Sequence, residues 1–246
     1  MDALSTSAAS GIRARMESLD ILANNIANAN TTGFKADREF YNLYTASEAT
    51  ASGDLESSTS PVVEKHWTDF SQGVLKATGN PLDLSISGDG FFVVNGADGP
   101  LYTRNGNFQI GKSGQLQTSD GKTVRKQGGG TIALSPSKDV TISADGSITQ
   151  DGVPTGRLDV VEIPDKQGLS KLGTNYFALT DVKTLVRAAG SSQVQQGSLE
   201  AANSAPAEHA IRLIGIMRQF ESLQKAITIA GDMNRKAVEE VARVSA

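Results

Sequence analysis

The chain has 246 residues, enough for one large or two small domains with a buried core. Its formal net charge is -4, from 23 basic and 27 acidic residues that alternate along the chain, so no basic patch indicates nucleic-acid or anionic-membrane binding. Cysteine is absent, which excludes disulfides and thiolate chemistry, and no apolar stretch approaches the roughly 20 residues that span a bilayer.

Residues 1 to about 29 have the pattern of an amphipathic helix with one narrow apolar stripe. Apolar residues recur there at spacings of three and four. They are Leu4, Ala8, Ile12, Met16, Leu19, Ala23 and Ile26. Gly33 fits a helix stop, because the residue past the last helical turn is most often glycine. The amino terminus has no basic segment followed by an apolar run, so we expect no cleaved signal peptide.

A cluster of asparagines lies at the end of this helix: Asn24, Asn25, Asn28 and Asn30. In one interpretation their amides satisfy the backbone at a helix end. In another they bond across subunits, since a buried amide can fix the register of packed helices. The residue types alone leave both interpretations open.

An extended arm and a linker are expected after the helix. Residues 34 to 44 are aromatic and charged, as in an anchored arm. Residues 46 to 61 are poor in large apolar residues and rich in Ser, Thr and Ala, which is typical of a linker. A surface loop of an ordinary domain is the alternative, although unstructured loops of this length are uncommon in compact domains.

From residue 62 to about 187 the hydrophobic period changes from helical to two, which predicts strands. The runs with this period are LDLSI (82 to 86), FFVVN (91 to 95), LYTR (101 to 104), FQI (108 to 110), VTIS (140 to 143), RLDVVEI (157 to 163) and YFALT (176 to 180). Asn-Gly and Asp-Gly pairs between them suit tight hairpin turns. The middle of the chain is therefore predicted to be an all-β domain of short strands.

A second, longer helix is predicted from about Ala205 to Val244, about 60 Å long at 1.5 Å per residue. Its apolar positions form a heptad seam: Leu213, Ile216, Phe220, Leu223, Ile227, Ala230, Ala237, Val241 and Val244, with Asn234 the one polar member. Such a seam favours packing against another helix. Asn203 or Ser204 is placed to cap the helix, and Pro206 is tolerated in its first turn.

No pattern of catalytic or metal-binding residues is evident. His66 and His209 lie in different predicted elements, and no metal-ligand spacing occurs. The carboxylates Asp54, Glu56 and Glu64 lie in or beside the linker, which cannot hold a fixed pair. We therefore expect no enzyme activity, catalytic residue, cofactor, metal site or small-molecule substrate.

The stretch LDILANNIANANTTGFK, residues 19 to 35, closely resembles the amino-terminal signature of the bacterial flagellar axial proteins, the rod, hook and hook-associated family. Three further stretches resemble this family: NPLDLSISGDGFFVV (80 to 94), LYTRNGNFQIGKSGQL (101 to 116) and GSLEAANSAPAEHAIRLIGIMRQFESLQKAI (197 to 227). The family usually has Ser-Asn-Val after the Leu-Glu step, where this chain has Asn203-Ser204-Ala205-Pro206. The length and the single β-domain resemble those of the rod proteins rather than those of the longer hook protein. Among the rod proteins, the sequence most resembles the proximal rod class and next the distal rod class.

The resemblance and the two helical stripes together imply an α+β fold. In this fold, long N- and C-terminal helices pair as a coiled-coil-like core, and the middle of the chain forms a central all-β domain of short strands. The expected divisions are an N-terminal core helix (1–33), an extended arm and linker (34–76), a central β-domain (77–190), and a return segment with the C-terminal core helix (191–246). The expected assembly interface consists of Leu4, Ile12, Leu19, Asn24, Asn25, Ile26, Asn28, Thr32, Gly33, Phe34, Leu213, Ile216, Phe220, Leu223, Ile227 and Asn234.

The resemblance implies a structural subunit of the flagellar rod that self-assembles helically and transmits torque through the periplasm. The expected partners are further copies of the chain, other rod and hook subunits, and the type III export apparatus. The expected location is the periplasmic rod of the basal body, without membrane insertion. Two other classes remain as alternatives: a secreted β-rich adhesin or binding module, and a cell-wall hydrolase.

Overall fold

The computed structural model describes residues 3–45, 59–180 and 184–244. These residues form seventeen strands and two α-helices. The chain divides into two compact units. The helical unit comprises Met1–Ile26, Asp37–Trp67 and Ala205–Ala246, and the β unit comprises Ala27–Ala36 and Thr68–Ser204.

The helical unit contains both helices and one two-stranded sheet. Helix α1 spans Ala3–Ala27 and helix α2 spans Pro206–Val244. Strands β1 (Asp37–Thr45) and β2 (Thr59–Thr68) pair with each other. The linker expected over residues 46 to 61 is therefore too long at its carboxyl end, because β2 already begins at Thr59; the rest of it lies outside the described residues.

The other fifteen strands belong to the β unit. They are β3 (Leu75–Ala77), β4 (Leu84–Ser87), β5 (Gly90–Asn95), β6 (Pro100–Thr103), β7 (Phe108–Ile110), β8 (Leu116–Thr118), β9 (Val140–Ile142), β10 (Ser147–Gln150), β11 (Val153–Arg157), β12 (Val160–Glu162), β13 (Leu169–Leu172), β14 (Tyr176–Leu179), β15 (Arg187–Ala188), β16 (Gln193–Gln196) and β17 (Ser198–Glu200). A short 3-10 helix, Lys166–Gly168, precedes β13. Each of the seven runs singled out in the sequence overlaps at least one of these strands.

A six-stranded sheet in the order β13-β14-β6-β5-β12-β15 dominates the β unit, beside a three-stranded sheet, β11-β10-β9. The last two strands of the unit pair with its first two, β16 with β4 and β17 with β3, both antiparallel. Within the β unit, the end of the chain therefore returns to lie beside the beginning.

Strand β5 separates two apolar clusters. Its alternate residues point to opposite faces, so Phe92 and Val94 pack in one cluster and Phe91 and Val93 in the other. In the second cluster the rings of Phe70, Phe91 and Phe177 meet edge to face, with centroids 5.0 to 6.1 Å apart. The β unit thus has an apolar core on both faces of its main sheet.

The fold class predicted from the sequence, with long terminal helices paired as a coiled-coil-like core, is wrong. Strands predominate, and along the predicted seam of α2 only Ile216 is buried among the side chains described, at 5% exposed, while Leu213, Phe220, Leu223 and Ile227 are half-buried. A heptad pattern shows which face of a helix is apolar, but it does not show that another helix covers that face along its length.

Candidate functional site

Helix α2 carries apolar residues on two sides. The predicted seam is the less exposed side, yet it stays half-exposed at most positions. Large apolar residues also lie outside the seam and are exposed: Ile211, Ile214, Met217, Ile229 and Met233. Ile211 is 73% exposed and Met233 65%. Exposed apolar residues repeated along one helix are typical of a surface that binds another protein.

Helix α1 buries a different stripe from the predicted one. The buried residues are Gly11, Ala14, Ser18, Leu22 and Asn25, again at spacings of three and four. Of the predicted stripe, Ile12, Leu19 and Ile26 are half-buried, Met16 is 54% exposed, and the side chain of Leu4 lies outside the described residues. The sequence pattern favoured the largest apolar residues, but small residues permit the closest approach between elements. At Gly11, for example, an added Cβ would lie 3.6 Å from Leu223 Cδ1.

Asn25 joins α1 to the start of β1. Its Nδ2 donates to Asp37 O at 2.7 Å, and its Oδ1 accepts from Asp37 N at 3.0 Å. The side-chain amide of Asn25 thus pairs with the backbone N and O of Asp37, in the way that a residue of a neighbouring strand would. This contact serves the backbone at the start of β1, and the expected role of the asparagines across subunits stays a prediction.

The other asparagines of the predicted interface divide between the surface and the helix end. Asn28 accepts twice from Thr31, from the backbone N at 3.0 Å and from the side chain at 3.3 Å. Asn24 is exposed and Thr32 is half-buried. The side chain of Asn234 lies outside the described residues, so its expected place in the assembly interface stays a prediction.

Gly33 and Phe34, which were expected at an interface, are buried inside the β unit of the chain itself. Gly33 has a φ of +69°, and its N donates to Glu200 O at 2.7 Å. A Cβ at this position would lie 2.4 Å from Asn105 N, so only glycine fits. The ring of Phe34 has no exposed surface and lies under Lys171 Nζ, which is 4.3 Å from the ring centroid.

Next to these two residues, Lys35, Arg104 and Glu200 form a set of buried charges that we call the buried triad. Lys35 Nζ donates to Glu200 Oε1 at 2.6 Å, and Arg104 Nη1 donates to Glu200 Oε2 at 3.1 Å. Gly73 N also donates to Glu200 Oε1, at 2.8 Å. All three side chains are buried, with at most 1% exposed. The single carboxylate thus neutralises one of two buried cations and binds both.

Further contacts fix the two cations. Lys35 Nζ also donates to Ser71 O at 2.6 Å, and Arg104 Nη2 donates to Gly88 O at 2.7 Å. The Arg104 guanidinium lies 5.0 Å from the centroid of the Phe91 ring. Burial lowers the pKa of Lys35 below 10.5, because it penalises the charged form, and the neighbouring Glu200 carboxylate opposes this shift.

Asn203 ties the same region together and does not cap α2. Its Oδ1 accepts from Ala36 N at 2.8 Å, and its Nδ2 donates to Asp69 O at 2.7 Å. In the first turn of α2, His209 N donates to Ala205 O at 3.1 Å. Residues 203–206, where the sequence differs from the resembled family, therefore still include a residue, Asn203, with specific hydrogen bonds.

The buried triad was not predicted from the sequence, although the sequence carried a signal for it. Each member lies in a different motif on which the family resemblance rests: Lys35 in TTGFK, Arg104 in YTRNGNF and Glu200 in GSLEAAN. Charged residues are almost never fully buried unless they are paired. A cation or carboxylate in each of three distant motifs was therefore a sign that the motifs meet.

No group of His, Asp and Glu side chains suited to a metal ion occurs in the part of the chain that the structure describes. Within residues 3–45, 59–180 and 184–244, no helix is long and apolar enough to cross a membrane. The notable features are thus an apolar helix surface in the helical unit and a buried charge set in the β unit.

Three family models match the sequence. The one described as "Flagella basal body rod protein" matches residues 6–35, "Flagellar hook protein FlgE/F/G D1 domain" matches 85–150, and "Flagellar basal body rod FlgEFG protein C-terminal" matches 195–240. Each match contains one member of the buried triad: Lys35 lies in the first, Arg104 in the second and Glu200 in the third.

Curated relatives match over most of their length. The "Flagellar basal-body rod protein FlgF" of Caulobacter vibrioides is 36% identical over 232 residues, which cover 92% of this chain and 93% of the relative. The "Flagellar basal-body rod protein FlgG" of Bacillus subtilis is 32% identical, with 93% and 95% covered. The FlgF protein of Salmonella typhimurium is 33% identical, with 88% and 89% covered.

Proposed function

The chain belongs to the flagellar basal-body rod proteins, and from this premise we propose that it assembles into the rod through the apolar faces of its terminal helices. Its function is that of a structural subunit of the flagellar basal body, and the alternative of a secreted β-rich adhesin is not favoured. The relatives carry two names, FlgF and FlgG, so the choice of the proximal over the distal rod stays a prediction.

The observation that carries the proposed assembly is the incomplete burial of α2. A helix of 39 residues presents a half-buried seam and, outside it, five exposed large apolar residues. Each such residue that becomes buried contributes about 1.5 to 3 kcal/mol. Repeated contacts between copies related by a helical operator would cover these faces and create an open polymer.

We further propose that the subunit transmits torque in the periplasmic rod, has no enzymatic activity, and reaches the rod through the export apparatus. The relatives are rod proteins by name, which supports the structural role. A peptidoglycan turnover assay tests the enzymatic alternative: activity that a carboxylate substitution removes would contradict the proposal.

Truncation tests the assembly role of the helices. We expect removal of residues 210–246 to abolish incorporation into basal bodies and swimming in a strain that lacks the native protein. The β unit of the truncated chain should still fold, because its residues end at Ser204; circular dichroism in the strand region checks this. A truncated protein that enters basal bodies and restores swimming would contradict the proposal.

A further inference from the structure

The buried triad lies where four distant segments of the β unit meet. Lys35 belongs to the segment 33–36, Glu200 ends β17, and Arg104 follows β6. Gly73 N, from the segment 69–73, is the third donor to the Glu200 carboxylate. One side chain therefore holds three partners that are 165, 127 and 96 positions away from it in sequence.

Segments 33–36 and 69–73 also contact each other directly through polar groups next to the triad. Asp69 N donates to Ala36 O at 2.8 Å, and Asn203 joins both segments through its side-chain amide. Gly33 N is bound to the backbone of Glu200 itself. Segment 69–73 is also held by Phe70, which belongs to the smaller apolar cluster. Segment 33–36 belongs to neither cluster, and its attachment depends on polar contacts around the Glu200 carboxylate, to which Lys171 Nζ adds a hydrogen bond to Lys35 O at 2.8 Å.

The sheets have a separate source of stability. The larger apolar cluster is formed by residues between Leu84 and Val194, and the smaller one adds Phe70 to residues between Phe91 and Phe177. Neither cluster includes a described residue from 33–36 or from 198–204. Elements that are held by different interactions can open independently of one another.

We propose that the buried triad is a conformational latch, which holds segment 33–36 on the β unit and releases it, while the sheets and segment 69–73 stay folded, when the Glu200 charge is removed. Without that carboxylate, two buried cations lose the side chain that binds both of them, and a buried charge without a partner is strongly unfavourable. Opening the latch returns Lys35 to water. Since the chain leaves the β unit after Ala36, the latch determines whether this exit is held.

Native-state hydrogen exchange on the full chain tests this proposal with Glu200→Gln, which keeps the side-chain shape and removes the charge. We expect the amides of Gly33 and Ala36 to exchange about tenfold faster or more, as for local opening. The amides of Val93 and Leu116, which bond within the sheets, should keep their wild-type rates. Asp145→Asn is the matched control, since Asp145 pairs with Arg157 at the surface, and it should change neither set.

A second variant, Lys35→Met, removes one cation and leaves Glu200 paired with Arg104. It should raise exchange at Gly33 and Ala36 by a smaller factor than Glu200→Gln does. Unchanged exchange at these amides in both variants would overturn the proposal. Equal acceleration in the sheets, or unfolding of the sheets in Glu200→Gln, would also overturn it, because the latch would then be part of one cooperative core. The measurement uses the unassembled chain and is thus independent of the proposed assembly.

Discussion

Lys35 Nζ lies 2.6 Å from Glu200 Oε1, although 165 positions of sequence separate the two residues, and neither side chain has any exposed surface. The pair joins the beginning of the β unit to its end. Because the desolvation of two charges is costly, such a pair is favourable only when its remaining polar atoms are also bound. Here Ser71 O, Gly73 N and Arg104 supply those contacts.

Arg104→Lys should destabilise the chain by about 1 to 3 kcal/mol, because two separate guanidinium nitrogens, Nη1 and Nη2, bind Glu200 and Gly88 O, and one ammonium nitrogen does not reproduce this planar geometry. Urea denaturation measures the change in the unfolding free energy. Arg157→Lys is the control, since Arg157 also makes two contacts, both to Asp145, but is 44% exposed. We expect a change within about 0.5 kcal/mol for this surface residue. Equal effects of the two substitutions would contradict the role of burial.

The pKa of Lys35 predicts how stability changes at alkaline pH. Burial lowers the pKa of this lysine in the folded chain below the 10.5 of an exposed lysine. Between these two pKa values the unfolded chain binds more protons, so the Lys35 contribution to the unfolding free energy increases as the pH rises.

The difference in unfolding free energy between the wild type and Lys35→Met isolates this contribution from that of other titrating groups. We expect the difference to shift in favour of the wild type as the pH rises from neutral to 10.5, the pKa of an exposed lysine. A difference that stays constant, or shifts the other way, would show that the folded-state pKa is not lowered.

Gly33→Ala should destabilise the β unit through two effects. The left-handed φ of +69° strains an alanine by about 1 to 2 kcal/mol, and the new Cβ would lie 2.4 Å from Asn105 N. Gly121→Ala separates these effects, because Gly121 has a φ of +89° but no atom within 4 Å of its Cβ position. Thermal unfolding should show a larger loss for Gly33→Ala. A loss no greater than that of the control would mean that the backbone shifts at little cost.

The strands of the β unit could be predicted from the sequence because alternating apolar residues and Asn-Gly or Asp-Gly turns are local signals. Runs such as 91 to 95 coincide with β5, and Gly99 at the following turn has a φ of +142°. The pairing of β17 with β3 could not be read in this way, since it depends on contacts between distant segments.

For the helices, apolar spacing predicted the elements but not how they pack. The spacing of apolar residues predicted two helices at the chain ends, but it overestimated how far they cover each other, and the stripe of α1 that is buried within the chain is not the predicted one. Packing there depends on Gly11, Ala14 and Ser18, which carry almost no hydrophobic signal. The interface residues expected on both helices stay a prediction, and Gly33 and Phe34 instead serve the interior of the β unit.

Asn25→Ala should weaken the connection between α1 and β1, because Asp37 N and O would each lose a hydrogen-bond partner. Leaving such groups unsatisfied costs about 1 to 3 kcal/mol each when they are buried. The exchange rate of the Asp37 amide reports the loss directly. Asn30→Ala serves as the control because Asn30 is exposed at the end of the same segment. An unchanged Asp37 amide in Asn25→Ala would contradict this role.

The proposal that exposed apolar residues of α2 bind neighbouring copies is tested by two substitutions at one position of this helix. Ile229 is 60% exposed, so Ile229→Glu should cost the isolated chain little stability. Ile229→Leu is the control, because it keeps an apolar side chain of similar size at the same position.

The most direct measurement is electron microscopy of basal bodies from cells that carry the wild type, Ile229→Glu or Ile229→Leu, with the helix content of each purified protein checked by circular dichroism. We expect complete rods with the wild type and Ile229→Leu, and incomplete or absent rods with Ile229→Glu at unchanged helix content. Complete rods with Ile229→Glu, or equal loss in both variants, would contradict assembly through this face of α2.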